Sequence, residues 1–252
     1  EVFGIDVSYP LIRARDKNLS VSGGIRHKTY ENFLFEKTYT TSNDYYSVFE
    51  LGASGDRFLG KRNHIFYTLK TTMGLEDMFG GMDDDEYTTS SRPGITDGGW
   101  AKLNIDLTNI TKIADSVQLI TRASGQIAND NLLTSEQFAI GGPDTVRGYP
   151  SGEYLGDYGY LLSAELRTPI VPGATTVNKY ANLAFFGDYG RTYFKDELPG
   201  DKEGELASVG VGLRIYLPCT FNMRFDAAYP VSSADASDGD DWRYWINMSW
   251  GF

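Results

Sequence analysis

The sequence predicts an all-β protein, a transmembrane antiparallel β-barrel with about eleven or twelve strands in this chain. Three observations predict it: a strict period of two in the apolar residues, connections that alternate between short and long, and aromatic residues near strand ends.

The period is clearest at the C-terminal end. Trp242, Tyr244, Ile246, Met248, Trp250 and Phe252 alternate with Arg243, Trp245, Asn247, Ser249 and Gly251, so one face is wholly apolar and the other mostly polar. Phe221, Met223, Phe225, Ala227 and Tyr229 repeat the pattern, as do Val209, Val211, Leu213 and Ile215. Upstream it recurs in Phe3/Ile5/Val7/Tyr9, Leu19/Val21/Ile25, Tyr45/Phe49/Leu51, Ile65/Tyr67/Leu69/Met73, Ala101/Leu103/Ile105/Leu107, Val117/Leu119/Ala123/Ile127, Tyr158/Tyr160/Leu162/Leu166 and Leu183/Phe185/Tyr189. This makes about eleven strands, and no segment of comparable length has a helical period. The longest strictly apolar run is four residues, Leu183 to Phe186, against roughly 20 for a spanning helix.

Short connections are expected near 13–18, 56–63, 109–116 and 217–220, and long ones at 35–44, 76–99, 129–157, 192–205 and 231–241. Short turns at one end and long loops at the other are the pattern of an outer-membrane barrel. Tyr45, Trp100, Tyr158, Tyr229 and Trp242 fall near strand ends, where interfacial girdles would sit. A soluble sandwich or lipocalin-like barrel also alternates, but it turns its polar face outward and fills its core with the apolar one. Here the polar face carries Asp6, Arg26, Lys28, Lys70, Lys102, Asp106, Arg122, Glu165, Arg167, Asp188, Arg214, Arg224 and Asp226, charges suited to a wet lumen.

Composition narrows the function. The 252 residues carry a net charge of -11, which disfavours a nucleic-acid partner because nothing offsets phosphate repulsion. With one Cys and two His, neither an internal disulfide, a zinc cluster nor a nucleophilic triad is expected, so no metal, cofactor or enzymatic activity is assigned. The acidic run Asp83-Asp84-Asp85-Glu86 lacks the spaced ligands of a calcium loop, and Cys219 reads as a solitary thiol at a turn. Glu1 opens directly into a periodic segment and eleven is an odd strand number, so the chain is expected to be a C-terminal portion.

The longest connection contains Ser135-Glu-Gln-Phe-Ala-Ile-Gly-Gly-Pro-Asp-Thr-Val-Arg-Gly-Tyr149. This phrase, with Gly141 and Gly142 ahead of Val146, Arg147, Gly148 and Tyr149, resembles the VRGY loop of the outer-membrane assembly and two-partner secretion superfamily, and most closely its TpsB transporters. The resemblance implies a sixteen-stranded barrel whose loop joins strands eleven and twelve. Five strands follow the motif here, starting near Tyr158, Tyr180, Leu206, Thr220 and Trp242, which matches that count. Residues 1–252 would then be the C-terminal part of the barrel, with the lumen-folding loop at about 129–157 and with the POTRA domains and first strands absent. The family's Phe-x-Asp-x-Gly element is matched by Phe186-Gly-Asp-Tyr-Gly190, so the resemblance implies that Arg147 meets Asp188 beside Phe186 and Gly190. Glu165 and Asp226, also on the polar face, are rival partners. Phe252, with Trp250 and Met248 on the same face, resembles the C-terminal signal read by the barrel-assembly machinery.

The implied function is export of an unfolded exoprotein of the haemolysin, haemagglutinin or adhesin kind across the Gram-negative outer membrane. The implied partners are that exoprotein, outer-membrane lipid and the assembly machinery. An insertase of the same superfamily and a passive porin are the competing readings.

Overall fold

A period-two apolar pattern has to satisfy its backbone by pairing with neighbours, because no hydrogen bond closes within a strand. The computed structural model meets this demand with one 11-stranded antiparallel sheet in which strands pair in chain order. It describes residues 1–34, 39–76, 78–79, 90–94, 96, 98–171, 180–218, 220–232 and 236–251, with side chains for all but 33, 34, 39 and 40. Phe252, Cys219 and the run Asp83 to Glu86 lie outside the described residues.

Six strands precede the long loop: β1 (Val2–Arg13), β2 (Lys17–Leu34), β3 (Tyr39–Leu59), β4 (Asn63–Leu75), β5 (Ala101–Ala114) and β6 (Val117–Ala128). Within the loop a small hairpin forms from β7 (Phe138–Ile140) and β8 (Tyr154–Gly156). Five strands follow: β9 (Tyr158–Pro169), β10 (Ala181–Tyr193), β11 (Gly204–Tyr216), β12 (Phe221–Pro230) and β13 (Arg243–Trp250). β6 pairs directly with β9, so the whole segment 129–157 is an excursion from one continuous wall. Among the described residues β1 and β13 are the sheet's edges.

Exposure decides which face is which. Phe3 is 77% exposed, Ile5 72%, Ile246 64% and Trp250 72%, as the outward side chains of the edge strands. Central strands also turn Leu69, Leu107, Leu162, Phe185 and Val211 outward. A soluble sandwich would have buried these; here the apolar face looks outward and the polar face lines an interior. No helix among the described residues is long and apolar enough to cross a membrane.

Two expectations need correction. The connection expected at 35–44 is mostly strand: residues 39–44 pair with 30–34, so β2 and β3 run to 18 and 21 residues. The Thr- and Tyr-rich segment around Tyr39 to Tyr46 favours extended backbone and continues the ladder beyond the length needed for crossing. Trp100, expected in a girdle, is only 1% exposed and packs edge-on to Tyr46 within a cluster of Val48, Leu132 and Leu133. Tyr229 and Trp242, by contrast, are exposed and pair with ring centroids 5.4 Å apart.

The long connections interlock at one end. Arg92 binds Asp201 at 2.5 Å, Lys195 binds Asp130 at 2.8 Å, and the amide of Asn131 donates to Asp196 at 2.9 Å. Asp157, fully buried, accepts the backbone N–H groups of Leu132 at 2.9 Å and Lys195 at 3.0 Å. These contacts hold the loop's stem across the mouth while its tip descends along the inner wall.

Candidate functional site

The loop's shape starts with its glycines. Gly141 and Gly142 have φ of 98° and 113°, a region that favours glycine, and a Cβ on Gly141 would lie 2.3 Å from the Pro150 carbonyl oxygen. The chain turns tightly there, the Gly142 N–H donating to the Tyr149 carbonyl at 3.1 Å. The apolar side chains of the tip then find one another: Ile140, Val146 and Tyr149 are fully buried and cluster with Leu161 of β9 and Leu206 of β11. Tyr149 also holds Ser232, hydroxyl to hydroxyl, at 2.5 Å.

That packing presents Arg147 to the wall. Its Nε and Nη2 donate to the two oxygens of Asp188, each at 2.8 Å, a bidentate grip. Nη1 donates to Glu165 at 2.8 Å and lies 3.8 Å from Asp226, so both rival carboxylates face the same guanidinium. The group lies over the Phe186 ring, 3.3 Å from its centroid, adding a cation–π contact. Its carbonyl oxygen accepts from the indole N–H of Trp245 at 2.8 Å. Arg147 is only 3% exposed, so its charge depends on these partners.

The wall residues are placed by alternation. Phe186, Asp188 and Gly190 fall on the inner face of β10, and Glu165 lies directly opposite Phe186 on β9. Gly190 leaves room for the tip: a Cβ there would sit 3.1 Å from Ile140 Cγ2 and 3.3 Å from Val146 Cγ2. Gly148 does the same from the loop side, with a would-be Cβ 2.7 Å from Ser208 Cβ. Ser163 donates to Asp188 at 2.7 Å. Glu165 is shared with Arg214 at 2.7 Å and Arg167 at 2.7 Å, while Asp226 binds Arg214 at 2.7 Å and Arg224 at 2.5 Å. The structure thus gathers Gly141, Gly142, Val146, Arg147, Gly148, Tyr149, Glu165, Phe186, Asp188 and Gly190 in one region. Met248 and Trp250 lie apart, 63% and 72% exposed on the outer face of β13.

The loop's stem carries a second centre. Glu136, in a 3-10 turn at Thr134–Glu136, receives Lys28 at 2.5 Å, Lys102 at 2.8 Å and the Tyr46 hydroxyl at 2.6 Å. Burial alone would raise its pKa, but the two lysines overcome it and hold the carboxyl down at about 2. One loop therefore contacts inner side chains from β2 and β3 through to β13, which the sheet allows by curving around it as a barrel wall.

Known proteins resemble this chain in sequence and in fold. The model of the family described as haemolysin secretion/activation protein ShlB/FhaC/HecB matches residues 1–215. The chain belongs to that family. It is a TpsB-type family of outer-membrane transporters, and its members are not enzymes. The outer membrane transporter CdiB of Escherichia coli is 26% identical over 185 residues, 71% of this chain and 30% of CdiB. The heme/hemopexin transporter protein HuxB of Haemophilus influenzae is 27% identical over 132 residues, 50% of this chain and 22% of HuxB. The chain thus spans less than a third of the length of the curated relatives it matches. The solved structure of Escherichia coli CdiB superposes with a TM-score of 0.77 at 19% identity, covering 98% of this chain and 44% of that one. BamA from Haemophilus ducreyi lacking POTRA domains 1–3 gives 0.69 at 12% identity, covering 98% of this chain and 54% of that one. These likenesses establish the fold: the ShlB/FhaC/HecB chain is an outer-membrane barrel protein.

Sequence reasoning assigned no role to Trp245, Glu136, Asp157, Ser163 or Ser208. Trp245 did leave a signal, as the one large aromatic on the polar face of β13. Glu136 lay inside the quoted motif, but nothing in its spacing points to lysines 34 and 108 residues away.

Proposed function

We propose that this chain is the barrel portion of a two-partner secretion translocator, with residues 129–157 as the lumenal loop, and that it exports an unfolded exoprotein outward across the outer membrane. The observation that carries the reading is the buried, fully partnered Arg147 at the loop tip, held by Asp188 and Glu165. A passive pore has no need to bury a cation on a long loop and to build three carboxylates around it. A transporter whose loop must be held in one position, and released from it, does. Export has no nucleotide energy at this membrane, so folding of the passenger outside supplies the pull by mass action. Phe252, Trp250 and Met248 are proposed as the assembly signal, and the exposed apolar belt as the lipid contact.

The test is Arg147→Ala in the full-length parent. The barrel should still insert and migrate as a folded species before heating, while secretion of the partner exoprotein falls severely. A variant that secretes fully would overturn the reading, and parallel loss of many other barrels would point to an insertase.

A further inference from the structure

Below the Arg147 clamp, toward the short-turn end of the barrel, the inner wall encloses a cavity of about 110 Å³. Four arginines line it, Arg122, Arg167, Arg214 and Arg224, with a single carboxylate, Glu165. Tyr216, Asn222 and Asn247 complete its polar rim. Arg214 and Arg224 stand directly opposite one another in the β11–β12 register, a placement that costs stability for like charges. Asp226 bridges that pair, and Glu165 is already divided among Arg147, Arg167 and Arg214. The Arg122 guanidinium has no ion-pair or hydrogen-bond partner among the described residues, and its side chain is open to the lumen. Arg167 and Arg224 are partly open as well, at 20% and 23% exposure. With Arg147 counted, five guanidinium groups face four carboxylates, Glu165, Asp226, Asp188 and the exposed Asp144, a surplus of one positive charge within a chain of net charge -11.

We propose that this cavity is an oxyanion subsite, closed around by Arg122, Arg167 and Arg224, that takes a carboxylate of an extended polypeptide entering from the short-turn end. Its volume suits a few waters or one oxyanion group and nothing larger. Guanidinium forks match such a group by paired N–H donors, and a low-dielectric wall strengthens the field they focus. Because Glu165 touches both the cavity and Arg147, an anion bound here competes for guanidinium groups that now steady the carboxylate of the loop clamp.

The test is calorimetric titration of the intact protein in detergent at low salt with a hexaglutamate peptide, and separately with inorganic phosphate. Hexaglutamate should bind, Arg122→Gln should weaken it roughly tenfold, and Arg122→Lys, which keeps the charge but loses the fork, should weaken it by less than that. Lys70→Gln, a lumenal cation paired with Glu50 in the other half of the barrel, serves as the control and should leave affinity unchanged. Heat-modifiable migration confirms that each variant is folded. Phosphate that binds and displaces the peptide would assign the site to free oxyanions as well, and peptide binding alone would assign it to polypeptide carboxylates. Absence of binding, an unaltered Arg122→Gln, or equal weakening by Lys70→Gln would overturn the proposal. No passenger is present in this measurement, so its failure leaves the translocation reading standing.

Discussion

At the tip of the 129–157 loop a cation of the loop is buried among carboxylates of the wall, whereas at its stem a carboxylate of the loop is buried among cations of the opposite wall. The tip uses Arg147 against Asp188 and Glu165 on β9 and β10; the stem uses Glu136 against Lys28 and Lys102 on β2 and β5. The two differ in kind as well as in sign. A guanidinium is planar and permanently charged, and its fork dictates the orientation of what it holds, while an ammonium is a point charge on a flexible stem. The tip therefore specifies an orientation and the stem a location. Reversed polarity also keeps each end from satisfying the other's partners, so the loop has one way to lie.

The largest effect should come from cutting the tip. Asp188→Ala leaves Arg147 buried with Glu165 as its close partner, a loss of about 3–5 kcal/mol in holding the loop. With Val146→Cys as a buried reporter, thiol labelling should accelerate by roughly a hundredfold or more. Exchanging the charges, Arg147→Asp with Asp188→Arg, should fail to restore protection, because Glu165 and Asp226 would then face a third carboxylate. Restoration would show that the pair acts alone.

Arg147→Lys ranks next. It keeps the charge and loses the fork, so about 1.5–3 kcal/mol should go, with labelling intermediate between wild type and Asp188→Ala. Glu136→Gln should loosen the stem by about 1–3 kcal/mol without exposing the reporter thiol at the tip, a separation that limited proteolysis near Thr134 would detect. The stem also carries the pH dependence. The Glu136 carboxyl is held below its ordinary 4.5, so its stabilisation is fully present above that value and is lost as pH falls toward about 2. Stem protection should be flat from pH 5 to 8 and decline between about 4.5 and 2 in wild type but not in Glu136→Gln. The smallest effect is Trp245→Phe, which removes one hydrogen bond to the Arg147 carbonyl and should cost about 1 kcal/mol in the same labelling assay.

Much of the wall was legible because a strand with one apolar and one wet face has to alternate, and the eleven alternating segments correspond to the eleven strands of the main sheet. The inner face was legible for the same reason, which is why Glu165 and Asp226 could be named as rival partners for Arg147, while Asp188 was singled out by its resemblance to the family's Phe-x-Asp-x-Gly element. That all three surround it at once was not, since alternation gives a face but no height along it. The stem was hidden for a related reason: Glu136 meets residues distant in sequence, through a loop path set by Asp157 capping backbone N–H groups. Trp100 misled because an aromatic beside a strand end can face lipid or fold under a loop, and burial against Tyr46 is decided by loops without periodicity.

The overlong β2–β3 hairpin bears on how the cell surface is seen. Twenty-one residues of β3 extend on the order of 70 Å, and a tilt of about 40° still leaves roughly 50 Å of height against an apolar band of about 25 Å. The ribbon therefore outruns such a band, with Asn32 and Ser42 joined across it near the top and Asp44 below them buried against Ser91. In the proposed translocator this ribbon, rising at the end opposite the short turns, would be the first part of the wall met by anything arriving at the long-loop mouth.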